Sequence, residues 1–150
     1  MDEEHPILLI AAPWKDRAYL LAELQERGYE VRSFPGIVTA IGYLIRRPRV
    51  QPVLVVLDVV DDPDISTRTL EDLFAMTESV PWLVIASRLH PLPDTSVLHA
   101  PRVQVMYRPV RVGTVVEQVE QLLRQYRKDN ETRADMHTRA HPEEKGSSNP

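Results

Sequence analysis

The chain has 150 residues, of which 43% are hydrophobic, a length and composition that suit one folded domain. Its formal net charge of −4 provides no basic surface field, so nucleic acid is not expected as a direct partner. It contains no cysteine, which excludes disulfides and thiolate chemistry, and no apolar run of the roughly 20 residues that would span a membrane.

Short apolar runs alternate with segments of helical spacing along the first 126 residues. The apolar runs predict strands at 7–12, 29–34, 52–58, 82–86 and 103–107. The segments between and after them predict helices at 15–27, 37–46, 66–77 and 112–127. Strands that are apolar on both faces and alternate with helices predict a parallel sheet covered on both sides, a doubly wound α/β fold. A ligand crevice is expected at the carboxyl ends of the strands.

Two stretches depart from this alternation. Pro91, Pro93 and Pro101 interrupt residues 87–101, so at most a short helix is predicted there. Residues 127–150 are charged and polar and cannot bury enough apolar surface to offset the entropy of ordering. The sequence therefore predicts a domain at 1–126 followed by a disordered polar tail at 127–150.

Three short patterns resemble a response-regulator receiver domain over residues 6–126, in both order and spacing. Residues 28–31 (Gly-Tyr-Glu-Val) are similar to the turn into the second strand. Residues 52–58 (Pro-Val-Leu-Val-Val-Leu-Asp) are similar to the third strand, which ends in the phospho-accepting aspartate of receivers. Residues 107–110 (Tyr-Arg-Pro-Val) are similar to the Lys-Pro-Phe segment after the fifth strand. The resemblance implies a flavodoxin-like three-layer sandwich with strand order 2-1-3-4-5 and a role in two-component signal transduction.

The resemblance also assigns the positions of a receiver's phosphorylation site, and most of them carry other residues here. Receivers hold Mg²⁺ with two acidic residues after the first strand and the aspartate after the third. A Ser or Thr after the fourth strand and a Lys after the fifth contact the phosphoryl group. The acceptor aspartate corresponds to Asp58. The remaining pocket positions are Ala11 and Ala12 for the acids, Ala86 followed by Ser87 for the hydroxyl, and Arg108 for the lysine.

These replacements predict a poor metal site, because Mg²⁺ needs hard oxygen ligands and one carboxylate beside two methyl groups offers few. Without a metal, nothing neutralises the charge that develops as a phosphoryl group moves to Asp58. Arg108 can pair with this carboxylate but does not replace a lysine point charge. We expect a pseudo-receiver that signals through protein–protein interaction, with no catalytic residues, no cofactor and Asp58 as a vestigial acceptor.

Two alternatives remain open. Asp61 and Asp62 are weak candidates for metal ligands that would restore Mg²⁺ binding and make Asp58 a true phospho-acceptor, although a solvated turn is the favoured interpretation of this acidic loop. Alternatively, the pocket could sense a small molecule, in which case its lining would comprise Ala11, Ala12, Trp14 and Arg108.

The proline-rich stretch stands where most receivers carry a full helix that contributes to partner binding. Its different form predicts a protein partner, either another regulatory protein or a second copy in a homodimer. The expected contact face is the segment Leu89–Pro109 together with the last helix. The first residues are acidic where a secretory signal is basic, so we expect a cytoplasmic location, with neither membrane nor nucleic acid as a direct partner.

Overall fold

A computed structural model describes residues 4–13 and 15–140, and within them five parallel strands form one sheet. The strands are β1 (Ile7–Ile10), β2 (Val31–Phe34), β3 (Leu54–Asp58), β4 (Trp82–Ala86) and β5 (Val103–Tyr107). Their order across the sheet is β2-β1-β3-β4-β5, and every neighbouring pair is parallel. The predicted sheet order and direction are therefore confirmed.

Helices cover both faces of this sheet and complete a three-layer sandwich. The described α-helices are α1 (Lys15–Glu26), α2 (Ile37–Arg46), α3 (Thr67–Met76) and α4 (Val112–Ala140), and a 3₁₀ helix spans Ser96–His99. Helices α2 and α3 and the 3₁₀ helix pack on one face, whereas α1 and α4 pack on the other. Successive residues of β1 enter opposite cores, Ile7 with α1 and α4 and Leu8 with α2 and α3. This two-sided burial explains the continuous apolar runs.

The last helix is longer than predicted. It continues to Ala140, whereas the sequence predicts a helix that ends near 127 and a disordered tail from there on. Low apolar content indicates that a segment has little to bury, but it does not prevent a solvated helix. The residues after 127 include strong helix formers such as Ala, Arg, Glu and Met, and neither glycine nor proline occurs between Gly113 and Pro142. The predicted tail residues 141–150 lie outside the described residues.

The connection between β4 and β5 has the predicted form, with only the 3₁₀ helix at Ser96–His99 in place of a full helix. As a result β5, an edge strand, is only partly covered, and Tyr107 is 42% exposed. Among the residues that the structure describes, no helix is both long enough and apolar enough to cross a bilayer.

The end of α3 is held by one arginine. Arg102 Nη1 donates hydrogen bonds to the carbonyl oxygens of Thr77 (2.5 Å) and Val80 (2.8 Å), and its Nη2 donates to that of Phe74 (2.9 Å). Its guanidinium also stacks on the Phe74 ring at 3.6 Å. The indole nitrogen of the buried Trp82 donates to Thr77 Oγ1 at 3.0 Å. The bonds from Arg102 to Phe74 and Thr77 supply donors to carbonyls at the helix C-terminus, where intrahelical donors run out.

We predict that Arg102→Lys lowers the free energy of unfolding by about 2 kcal/mol, because an ammonium group cannot donate to three carbonyls while stacking on Phe74. Urea unfolding followed by circular dichroism measures this difference. The matched control is Arg68→Lys, the same substitution at an exposed position of α3, for which we expect a change within about 0.5 kcal/mol. Equal effects of the two substitutions would contradict the assigned role of Arg102.

Candidate functional site

Asp58 lies at the carboxyl end of β3, in the position predicted from the sequence, and is 2% exposed. Its Oδ2 forms an ion pair with Arg108 Nη2, as the sequence suggested, and its Oδ1 accepts a hydrogen bond from the Val60 backbone N–H at 3.0 Å. Both carboxylate oxygens therefore have partners within the chain. The cation neutralises the charge of this buried carboxylate, and the backbone N–H provides a hydrogen bond to its second oxygen.

The backbone places Arg108 for this contact. It follows the last residue of β5, and its N–H donates to the Ala86 carbonyl at 2.8 Å, which continues the β4–β5 hydrogen bonding by one step. The peptide bond between Arg108 and Pro109 is cis. The guanidinium reaches past the end of β4 to the end of β3, and about a quarter of the side chain remains exposed.

Burial is the largest influence on the Asp58 carboxyl and raises its pKa above the ordinary 3.8, and the nearby charge of Asp61 adds a smaller upward effect. The hydrogen bond and charge of Arg108 and the Val60 N–H lower the pKa but do not offset the cost of burial. The charged form of Asp58 is consequently less favourable in the folded chain than in water.

The two positions that carry acids in receivers do not contribute carboxylates here. Ala11 is buried, and its backbone N–H donates to the Phe34 carbonyl at 3.0 Å. Its carbonyl accepts a hydrogen bond from Arg17 Nη1 at 3.2 Å. Ala12 is partly buried. A guanidinium thus lies beside the site where a receiver gathers negative charge for its metal, and this arrangement does not fit Mg²⁺.

The pocket beside Asp58 is nearly filled. Among the described residues, the open space of this pocket is about 20 Å³, the volume of about one water molecule. Its lining comprises Leu9, Ala11, Asp16, Arg17, Leu20, Asp58, Ile85, Val110, Val112 and Val115.

Trp14, which the sequence placed in this pocket, lies outside the described residues. Asp16 and Arg17, which sequence reasoning missed, line it from the first turn of α1; no motif marks them, because they occupy ordinary solvent-facing positions of a helical pattern.

The hydroxyl position is also altered. Ala86 is fully buried and has no hydroxyl, and Ser87 Oγ instead accepts a hydrogen bond from the Leu89 N–H at 3.2 Å. The Ser87 carbonyl accepts a further bond from the His90 N–H at 3.3 Å. Ser87 therefore stabilises the turn after β4.

The acidic loop after β3 has a structural role at α2. Asp62 Oδ2 accepts a hydrogen bond from the Ile37 N–H at 2.8 Å, and its Oδ1 accepts one from the Asp64 N–H at 3.0 Å. The N-cap residue of α2, Gly36, has no side chain to accept such a bond, so Asp62 supplies the acceptor from another loop. Asp61 is exposed, with a positive φ of 63°. Within residues 4–13 and 15–140, no three His, Cys, Asp or Glu side chains converge on a metal-binding site.

Comparison with solved structures identifies the fold as that of receiver domains. The receiver domain of the hybrid histidine kinase CckA is 21% identical, with a TM-score of 0.60, and the match covers 79% of this chain and 98% of that one. The response regulator StyR is 21% identical (TM-score 0.66; 90% and 67% covered), and the receiver domain of NtrX from Brucella abortus is 17% identical (TM-score 0.60; 79% and 98% covered). No protein-family model and no curated protein matches the chain.

We predict an unusual pH dependence from the raised pKa of Asp58. Because the folded chain holds the Asp58 proton more tightly than the unfolded chain, the stability that Asp58 contributes is greatest below pH 3.8 and falls as the pH rises through the folded-state pKa. The free energy of unfolding of the native chain, minus that of the Asp58→Asn variant, should therefore decrease over this range and then level off. Denaturant unfolding at a series of pH values measures it.

Arg108→Met is the companion variant in that series. It removes the hydrogen bond and the charge of Arg108, which lower the pKa of Asp58, and leaves the Val60 N–H in place, so the decrease should extend to higher pH. If the free energy of unfolding of the native chain minus that of Asp58→Asn instead grows as the pH rises, the ion pair with Arg108 outweighs the effect of burial on Asp58.

We further predict that Asp62→Ala lowers the free energy of unfolding by about 1 kcal/mol, because the first turn of α2 loses its side-chain acceptor. Asp64→Ala is the matched control: Asp64 is exposed, and its contribution to this loop is through the backbone, so we expect a change within about 0.5 kcal/mol. Chemical denaturation of both variants makes the comparison, and similar losses would argue against the capping role.

Proposed function

We propose that the chain is a pseudo-receiver, a two-component signalling domain that acts through protein–protein contacts and is not phosphorylated at Asp58. The observation that carries this proposal is the ion pair between Asp58 and Arg108 at the acceptor position. Phosphoryl transfer to a carboxylate requires an accessible oxygen and cations that stabilise the charge on the transferred group. Here one oxygen pairs with a guanidinium, the other accepts a backbone bond, and the side chain is buried.

A permanent internal cation also explains how such a domain can signal without phosphate. In this proposal, Arg108 takes the place of the cations that a phosphorylatable site recruits, so the strand ends are fixed in one arrangement. The domain then presents one surface to its partner at all times, and its output depends on the partner's concentration. It has no enzymatic activity and no cofactor, and we place it in the cytoplasm.

The proposed partner surface is the segment Leu89–Pro109 together with α4. Leu89 is 87% exposed, and the Arg88 guanidinium lies 4.6 Å from the centre of the partly exposed Tyr107 ring. A partly exposed tyrosine stacked by an arginine has the composition of interface hot spots. The 3₁₀ helix covers less of β5 than a full helix does, which leaves this surface open to another regulatory protein.

Treatment with acetyl phosphate and Mg²⁺, followed by intact-mass measurement, tests the proposal. We expect the native chain to gain no more phosphoryl mass than its Asp58→Asn variant. The restored variant A11D/A12D/A86T/R108K, checked for folding by circular dichroism, should gain one phosphoryl group, because it regains the acids, the hydroxyl and the lysine.

A phosphoryl adduct on the native chain that requires Mg²⁺ and Asp58 would instead establish the alternative, a phospho-accepting receiver. The small-molecule sensor has less support, because the space beside Asp58 holds about one water molecule. A ligand retained by the purified chain in native mass spectrometry would revive it.

A further inference from the structure

Helix α2 exposes two large apolar side chains in addition to the apolar row that it packs against the sheet. Its inner side packs against the sheet through Ile37, Ala40 and Leu44. On the opposite side Val38 is 51% exposed and Ile45 is 67% exposed, two turns apart, with Gly42 between them. Surface helices normally carry polar residues on the side that faces water. We call the row Val38, Ile41, Gly42 and Ile45 the α2 stripe; Val38 and Ile45 are exposed, whereas Ile41 is its partly buried margin beside the core.

The two ends of the α2 stripe carry opposite charges. Beyond its carboxyl end lie three exposed arginines, at positions 46, 47 and 49. At its amino end lies the acidic loop, with Asp62 bonded to the first N–H of the helix and Asp61 and Asp64 exposed. An apolar centre between an acidic end and a basic end is complementary to a second copy of the same helix in the antiparallel direction.

We propose that α2 packs antiparallel against α2 of a second copy of this chain, about a twofold axis near Ile41 and Gly42. A twofold interface is self-complementary, so a residue i that faces residue j is matched by j facing i. If facing residue numbers sum to 83, Val38 lies opposite Ile45 and Ile41 lies opposite Gly42.

The same register brings the charged ends together. It places Arg46 of each copy opposite Ile37, the residue whose N–H is bonded to Asp62. The nine steps from Ile37 to Arg46 rise about 13.5 Å along the helix, so the arginines of one copy reach the acidic loop of the other at both ends. Charge complementarity thus fixes the antiparallel direction, since parallel helices would place like charges side by side.

Gly42 suits the centre of such a contact, because helices pack most closely where side chains are smallest. In the single chain Arg46 lies over this position: a Cβ on Gly42 would come within 3.1 Å of Arg46 Nη1. The contact therefore requires the long Arg46 side chain to swing away from Gly42, and the acidic loop of the second copy supplies a partner for it.

This pairing goes beyond the proposed function and does not depend on the chemistry at Asp58. It also assigns the second copy to α2, near one edge of the sheet, and leaves the Leu89–Pro109 face at the other edge for a different protein. One helix per copy buries less than the roughly 1,200–2,000 Å² of a standard interface, so we expect a weak dimer that forms in the micromolar range or above.

Sedimentation equilibrium of the full chain, from micromolar to near-millimolar concentration, tests the pairing. We expect V38E and I45K each to raise the dimer dissociation constant about 100-fold, because each places an unpaired charge in an apolar contact. The double variant V38E/I45K should dimerise again, and more weakly in high salt, because the two new charges face each other across the axis. T39E, which adds the same charge to the same helix beside the stripe, should leave the dissociation constant within about threefold.

A single-cysteine experiment locates the contact independently, because the native chain has no cysteine. Under mild oxidation G42C should form a disulfide-linked dimer, whereas L89C should not, since a disulfide requires Cα atoms within about 7 Å. A native chain that stays monomeric at every concentration would overturn the proposal. So would a dimer that V38E leaves intact, or one that L89C cross-links and G42C does not.

Discussion

The ion pair between Asp58 and Arg108 is the constraint on which the rest of the site depends. A carboxylate buried at the end of a parallel sheet must be neutralised, because its desolvation costs several kcal/mol otherwise. In a receiver-type site three carboxylates create a surplus of negative charge that a divalent cation balances. With alanine at positions 11 and 12, Asp58 is the one carboxylate at the three acid positions, and the Arg108 guanidinium pairs with it. The replacements at the acid and lysine positions are therefore a consistent set.

The acidic loop after β3 shows that neighbouring carboxylates of similar appearance in the sequence have separate roles. Asp58 is buried and paired with a distant arginine, whereas Asp62, four residues later, caps α2 with one oxygen and its own loop with the other. The oxygens of Asp58 and Asp62 therefore bind different partners and do not form a shared metal site. The loop is instead held at both ends by its own acids, and this fixes its path over the carboxyl edge of the sheet.

The fold could be predicted because burial on two faces leaves a direct signal in the strands, and Asp58 could be placed because it ends the most apolar of them. Other features were not predictable by the same reasoning. Arg17 reaches the pocket by donating to a backbone carbonyl, which no residue pattern records. The sequence predicts too short a last helix, because a low apolar content does not show whether the residues after 127 are helical. Trp14, expected in the pocket, lies outside the described residues.

The acceptor position and the outer helix α2 are joined by a short physical path. Asp58 binds the Val60 N–H, the chain turns through Asp61 with its positive φ, and Asp62 then binds the first N–H of α2. A buried ion pair at one end of this path and a helix cap at the other leave the intervening residues little freedom. The acidic loop at the amino end of α2 is consequently held in place by the residues that directly follow the Asp58–Arg108 pair. The Val60 bond and the α2 cap therefore hold the acidic loop in one position at the end of the helix, which is the geometry that the proposed pairing of two copies through α2 requires.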